Sequence, residues 1–135
     1  MNQNDPPTEH ILACLSSSPS NAKIVRTAAT MAKAFGGTFT ALYVRTPDSD
    51  QMGKEDCRRL QQHIRMAEQA GADISTIYGD DIPQQIAEFA RISGITKIVL
   101  GRSSAHRRHF WSGPSLTEKL TMTAPNLDIY IIPDA

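Results

Sequence analysis

Five short runs rich in branched and aromatic residues recur along this chain, each separated from the next by a stretch of helical period or a loop. They are "HILACL" (His10 to Leu15), "TFTALYV" (Thr38 to Val44), "DISTIYG" (Asp73 to Gly79), "TKIVL" (Thr96 to Leu100) and "LDIYII" (Leu127 to Ile132). Runs of that length and composition read as strands. Strands separated by helices pair in parallel, because a parallel partner needs a crossover connection, and crossovers are right-handed. The alternation therefore gives a five-stranded parallel sheet with helices on both faces; the fold expected is α/β and Rossmann-like, with strand order 3-2-1-4-5.

The helical stretches carry their own punctuation. In the first, Ser18 or Ser20 can cap, Pro19 suits the first turn, and Ile24, Ala28, Met31 and Phe35 recur on one face before Gly36 and Gly37 end it. After the loop "RTPDSDQMG", Cys57, Leu60, Ile64 and Ala67 share a face and Gly71 closes the helix. The third starts at Asp80 or Asp81 with Pro83 in its first turn, and turns Ile86, Phe89 and Ala90 inward. A short fourth helix is expected from Ser115 to about Thr123.

With 135 residues the chain is expected to make one domain, residues 10–135, behind a flexible polar leader or inter-domain linker, residues 1–9, that contains Pro6 and Pro7. Fourteen basic residues balance fourteen acidic ones, so the whole chain offers no field for nucleic acid or an anionic membrane. No apolar run approaches the ~20 residues needed to span a bilayer. Cys14 and Cys57 lack metal-ligand spacing and read as reduced thiols of a cytoplasmic protein.

In the expected strand order a crevice opens at the carboxyl ends of strands one and four. Two loops border it, "LSSSPS" and "GRSSAHRRHFWSGPS". A helix N-terminus favours anions through its unpaired N–H groups and partial positive charge, and Ser16, Ser17 and Ser18 add hydroxyl donors there. The bland alternative is that one serine caps and the others fill a turn. Across the crevice Gly101, Arg102, Ser103 and Ser104 open a loop that continues through Arg107, Arg108, Phe110 and Trp111. Arginine forks match phosphate oxygens, and an aromatic face stacks on a base at ~1–3 kcal/mol. A solvated basic loop with Trp111 tucked against the sheet is the competing reading. On the second strand, period two puts Phe39, Ala41 and Tyr43 on one face and Thr40, Leu42 and Val44 on the other. Small Ala41 would let a planar base approach the backbone, whereas Phe39 and Tyr43 individually read as core.

Together these residues resemble the universal stress protein family, and more closely the universal-stress-protein-like domain in the cytoplasmic part of KdpD-type potassium-responsive sensor histidine kinases. The resemblance runs from "HILACLSSSPSNAKIVRTAA" to "SLTEKLTMTAPNLDIYIIP". Members that bind cyclic di-AMP carry S-x-S, twenty residues, then F-T-A-x-Y. Here Ser16 and Ser18 are followed by the twenty residues Pro19 to Thr38, and then by Phe39, Thr40, Ala41, Leu42 and Tyr43. The resemblance implies Ser16 and Ser18 beside phosphate or ribose, and Thr40 to Tyr43 along a base. It also implies a nonenzymatic regulatory domain whose partners are other domains of a sensor kinase in cis, or a kinase in trans. ATP-binding members instead carry an aspartate at the end of the first strand and G-x-x-G, nine residues, G-S/T after the fourth. Here Leu15 and Ser16 replace the acid, and Gly101, Arg102, Ser103, Ser104 are followed by eight residues, Gly113 and then Pro114. ATP is accordingly the less favoured ligand.

Other classes find less support. A serine hydrolase would need an elbow that "LSSSPS" is not, and neither loop supplies a carboxylate to orient His106 or His109. Those histidines lack a third metal ligand, and with His10 and His63 they read as surface residues. "HRRHFW" is basic and aromatic, yet no nucleic-acid motif accompanies it. An interaction module would keep the fold with an empty crevice and pair with a second copy along the last strand.

Overall fold

A computed structural model describes residues 8–102 and 114–133. Strands β1 (His10–Cys14), β2 (Thr38–Arg45), β3 (Asp73–Tyr78), β4 (Lys97–Gly101) and β5 (Asp128–Ile132) alternate with helices α1 (Asn21–Phe35), α2 (Lys54–Gln69), α3 (Ile82–Ile92) and α4 (Leu116–Thr123). All strand pairs are parallel, as the alternation predicts, and the sheet order is the expected β3-β2-β1-β4-β5. Within "RTPDSDQMG" a short 3-10 turn, Asp48–Gln51, precedes α2.

The two cores follow from the pleat, because neighbouring strand residues point to opposite faces. Ile11, Ala13, Phe39, Ala41 and Val99 pack under α1 and α2, while Leu12, Leu42, Ile98 and Leu100 pack under α3 and α4. β1 and β4 are covered on both faces, and so read as nearly unbroken apolar runs. The edge strand β5 instead leaves Tyr130 and Ile131 exposed.

Local chemistry sets the boundaries. Asp81 accepts a hydrogen bond from Gln84 N–H at the start of α3, and Ser115 does the same from Glu118 N–H at the start of α4. Gly36, at φ 64°, closes α1 in the left-handed conformation. Its neighbour Gly37 passes so close to the Glu9 carbonyl that a Cβ would collide with it. Thr38 N–H then bonds to Glu9 O at 3.1 Å, which starts β2 beside β1.

Three expected helix positions differ. Phe35 lies at the last position of α1, beyond the sheet it would cover, and is 50% exposed with its ring 4.9 Å from the Lys97 ammonium. Cys57, in the first turn of α2, is exposed as well, and the buried stripe of that helix is Leu60, His63 and Ala67. Ser20 stands at the N-cap of α1 without a side-chain capping bond; its hydroxyl pairs with that of Ser18 at 2.9 Å.

Candidate functional site

β1 and β4 are neighbours with Ala13 opposite Val99, so the segments leaving their carboxyl ends emerge side by side. The serine loop follows β1, and Gly101 and Arg102 end the described part of the other side. Gly101 is buried and Arg102 exposed. Ser103 and Trp111, with Ser104, Arg107, Arg108 and Phe110, lie outside the described residues.

The serine loop is held by bonds from both of its helical neighbours. Asn21, at the first position of α1 and 5% exposed, donates from Nδ2 to Cys14 O at 2.8 Å and accepts from Ser16 N–H at 3.1 Å. Its own N–H donates to Ser18 O at 3.0 Å. From α2, Arg59 donates to Ser17 O at 3.0 Å and His63 Nδ1–H donates to Ser16 O at 2.7 Å. Within the loop Ser18 N–H bonds to Ser16 Oγ at 3.2 Å. Ser16 and Ser17 are half-buried and Ser18 is exposed. No acidic side chain stands in the first turn of α1, so its positive end is unopposed by its own sequence.

His63 is thus a buried residue, 4% exposed, where the sequence reading put it on the surface. Its ring fits the apolar stripe of α2 because Nδ1 is satisfied by a backbone carbonyl. The signal that could have found this is spacing: Arg59 and His63 sit four apart and so share a helix face.

β2 forms the second wall. Cys14 lies opposite Leu42, and Leu15 N–H donates to Leu42 O at 2.7 Å, which closes the pairing of β1 with β2. The end of F-T-A-x-Y, Leu42 and Tyr43, is therefore beside the start of the serine loop, whereas Phe39 and Thr40 lie opposite Ile11 and Leu12 within the sheet. Ala41 and Leu42 are fully buried in opposite cores, and the Leu42 carbonyl is taken by Leu15 N–H; Thr40 and Tyr43 are half-buried. Backbone groups of alternate strand residues point the same way, so Val44 N–H and C=O face the space beyond the end of β1. Val44 was not singled out from sequence, since its apolar side chain carries no sign of a backbone role. At the end of the strand, the Arg45 guanidinium is held by Asp50 at 2.8 Å, and that hydrogen bond raises its pKa further.

Cys14 is half-buried beside the loop, and burial pushes its thiol up to about 12, so it stays protonated at neutral pH. A separate hollow of about 540 Å³, whose lining includes Lys33, Thr38 and Asp73, opens between the C-terminal ends of α1 and α2 at the other end of the sheet.

The universal stress protein family model matches residues 7–126, which is most of the chain. The chain belongs to the universal stress protein family. It is 35% identical over 133 residues to the sensor protein KdpD of Clostridium acetobutylicum, and 29% identical over 122 residues to that of Escherichia coli K12. Those matches cover 95% and 90% of this chain but span 14% and 13% of the two relatives. Among solved structures, a universal stress protein in complex with cAMP superposes with TM-score 0.68 at 15% identity, over 94% of this chain and 98% of that one. The Archaeoglobus fulgidus universal stress protein in complex with dAMP gives 0.56 at 19%, over 92% and 96%. At these identities the structural likeness is one of fold, and the universal stress protein sheet order is the one expected from the strand alternation.

Proposed function

We propose that this universal stress protein domain is a nonenzymatic regulatory module that binds cyclic di-AMP at the crevice between β1 and β4. The carrying observation is that the segment leading into S-x-S and the end of F-T-A-x-Y lie side by side, with Cys14 opposite Leu42 and Leu15 N–H bonded to Leu42 O. Hydroxyls, a helix N-terminus and strand backbone then converge on one site, which suits a phosphate and the edge of a base. The neighbours bound to cAMP and dAMP support the adenine-nucleotide class. Likeness to KdpD sensor proteins supports a place in the cytoplasmic portion of a sensor kinase controlling potassium uptake. Among the described residues no helix is long and apolar enough to cross a membrane. In the intact kinase, ligand shifts the population of loop conformations and neighbouring domains read the difference.

Calorimetric titration with cyclic di-AMP, beside ATP and cyclic di-GMP, tests the reading. The expected result is selective saturable binding, weakened at least tenfold in a Ser16→Ala, Ser18→Ala double variant (about 1.4 kcal/mol or more). Equal binding by the variant would leave the serines a turn and nothing more. A second reading, an AMP- or ATP-type universal stress protein, draws on the mononucleotide-bound neighbours and gains if ATP binds and cyclic di-AMP does not. The exposed Tyr130 and Ile131 on edge strand β5 favour pairing with a second copy, which sedimentation would detect.

A further inference from the structure

We propose that Arg59 and His63, one turn apart on α2, are positioning residues for the nucleotide site, holding the serine loop in its binding shape through two successive carbonyls. The inference rests on the nucleotide reading above. Arg59 Nη1 donates to Ser17 O at 3.0 Å, and His63 Nδ1–H donates to Ser16 O at 2.7 Å. α1 packs over β1, β4 and β2, whereas α2 packs on α1 and β3. The two carbonyls are therefore committed to donors on the helix that covers the β3 side of the sheet.

The electrostatic consequence concerns what an anion would meet. A carbonyl oxygen turned toward phosphate repels it, and a loop free to rotate its peptides would present carbonyls some of the time. With Ser16 O and Ser17 O committed to α2, the crevice meets serine hydroxyls and the N-terminal end of α1 instead. The clamp is itself braced. Arg59 is also held by Asp56 at 3.2 Å, one turn earlier on the same helix, and His63 sits between Leu60 and Ala67 on the buried stripe. Fixing the loop before ligand arrives reduces the ordering cost of binding.

Neither residue belongs to the S-x-S or F-T-A-x-Y sets, and both come from a helix that sequence reading treated as core on one face and solvated on the other. Asn21 performs the complementary task from α1, so the loop is held from two helices. Movement of α2 against α1 therefore reaches Ser16 and Ser17 directly.

The test uses the whole chain, titrated calorimetrically with cyclic di-AMP, in wild type and in Arg59→Met, Arg59→Lys, His63→Leu and His63→Asn. Met and Leu remove the donors; Lys keeps a cation, and Asn places an N–H near the position of Nδ1. The expected result is a loss of affinity of about tenfold for Arg59→Met and for His63→Leu, with most of it recovered in Arg59→Lys and His63→Asn. Without ligand, backbone order parameters of Ser16 to Ser18 should fall toward the flexible range, below about 0.6, in the Met and Leu variants and return in the other two. Wild-type affinity and order in Met and Leu variants that keep native circular dichroism would overturn the proposal, as would an equal loss in all four. If the wild type binds neither cyclic di-AMP nor ATP, the nucleotide reading fails. The order parameters then decide separately whether the pair holds the loop.

Discussion

The two ends of the sheet are closed by different chemistry. At the amino end, Lys97 at the start of β4 is paired with Glu9 at 3.0 Å and Asp128 at 2.8 Å, with the Phe35 and Tyr130 rings at 4.9 and 5.9 Å. Thr96 bridges the same rim, taking His10 N–H at 2.9 Å and donating to Glu9 at 2.8 Å. At the carboxyl end the serine loop has no such ion pair among the described residues; it is fixed through backbone groups by Asn21, Arg59 and His63. A rim that only joins strands can neutralise its charges internally. A rim that is to receive an anion gains from keeping hydroxyls and N–H groups available, and its anchors then have to grip carbonyls from behind.

The difference is measurable as stability. Asn21→Ala strands Cys14 O and Ser16 N–H, backbone groups that cannot swing out to water, and should cost about 2–3 kcal/mol in urea unfolding. It should also weaken nucleotide binding through the loop. Lys97→Met keeps the volume of the side chain and removes its charge, and should cost about 1–2 kcal/mol, because Asp128, 59% exposed, and Glu9, 25% exposed, return largely to solvent. It should leave nucleotide affinity unchanged. If Lys97→Met abolished binding while Asn21→Ala did not, the division of labour between the two rims would be wrong.

How far these rims could be seen in the sequence follows from the range of each signal. The alternation of parallel strands with helices on both faces came from local periodicity, and the cap at Asp81 came from local chemistry. The candidate site was proposed from local chemistry in the serines after β1, and from the family resemblance in the twenty-residue spacing to Phe39. What escaped was long-range and made by residues with an ordinary local role. Arg59 reads as a solvated charge and His63 as a surface ring until α2 is laid against the serine loop, 42 and 47 residues earlier. Asn21 was absorbed into the helix start, and Phe35 into an apolar stripe that outlasts the sheet. Lys97 was equally hidden, since its acidic partners are 88 and 31 positions away.

Acid titration should separate the rims less strongly. Hydrogen bonds from Thr96 and Lys97 hold the Glu9 carboxyl below its usual value of 4.5. A carboxylate with a depressed folded pKa favours the folded state above the unfolded value, and that contribution is lost as pH falls through the folded one. Stability of the wild type should therefore begin to drop below about pH 4.5 more steeply than that of Glu9→Gln, measured as urea midpoint against pH. Parallel curves would remove Glu9 from the amino-rim lock.

The smallest effect is kinetic and concerns the two thiols. Cys57 is exposed in the first turn of α2, whereas Cys14 ends β1 under the serine loop with its thiol pushed up to about 12 by burial. At pH 8 an aromatic disulfide reagent should modify one thiol promptly, and that reaction should disappear in Cys57→Ser. Cys14, half-buried and held protonated, should react much more slowly, and faster when the carboxyl rim opens. Nucleotide binding at that rim should slow it further, while leaving Cys57 unaffected. Protection of Cys14 by cyclic di-AMP would thus report the loop end of the sheet without any substitution in the loop; an unchanged rate at saturating ligand would mean that binding does not tighten that rim.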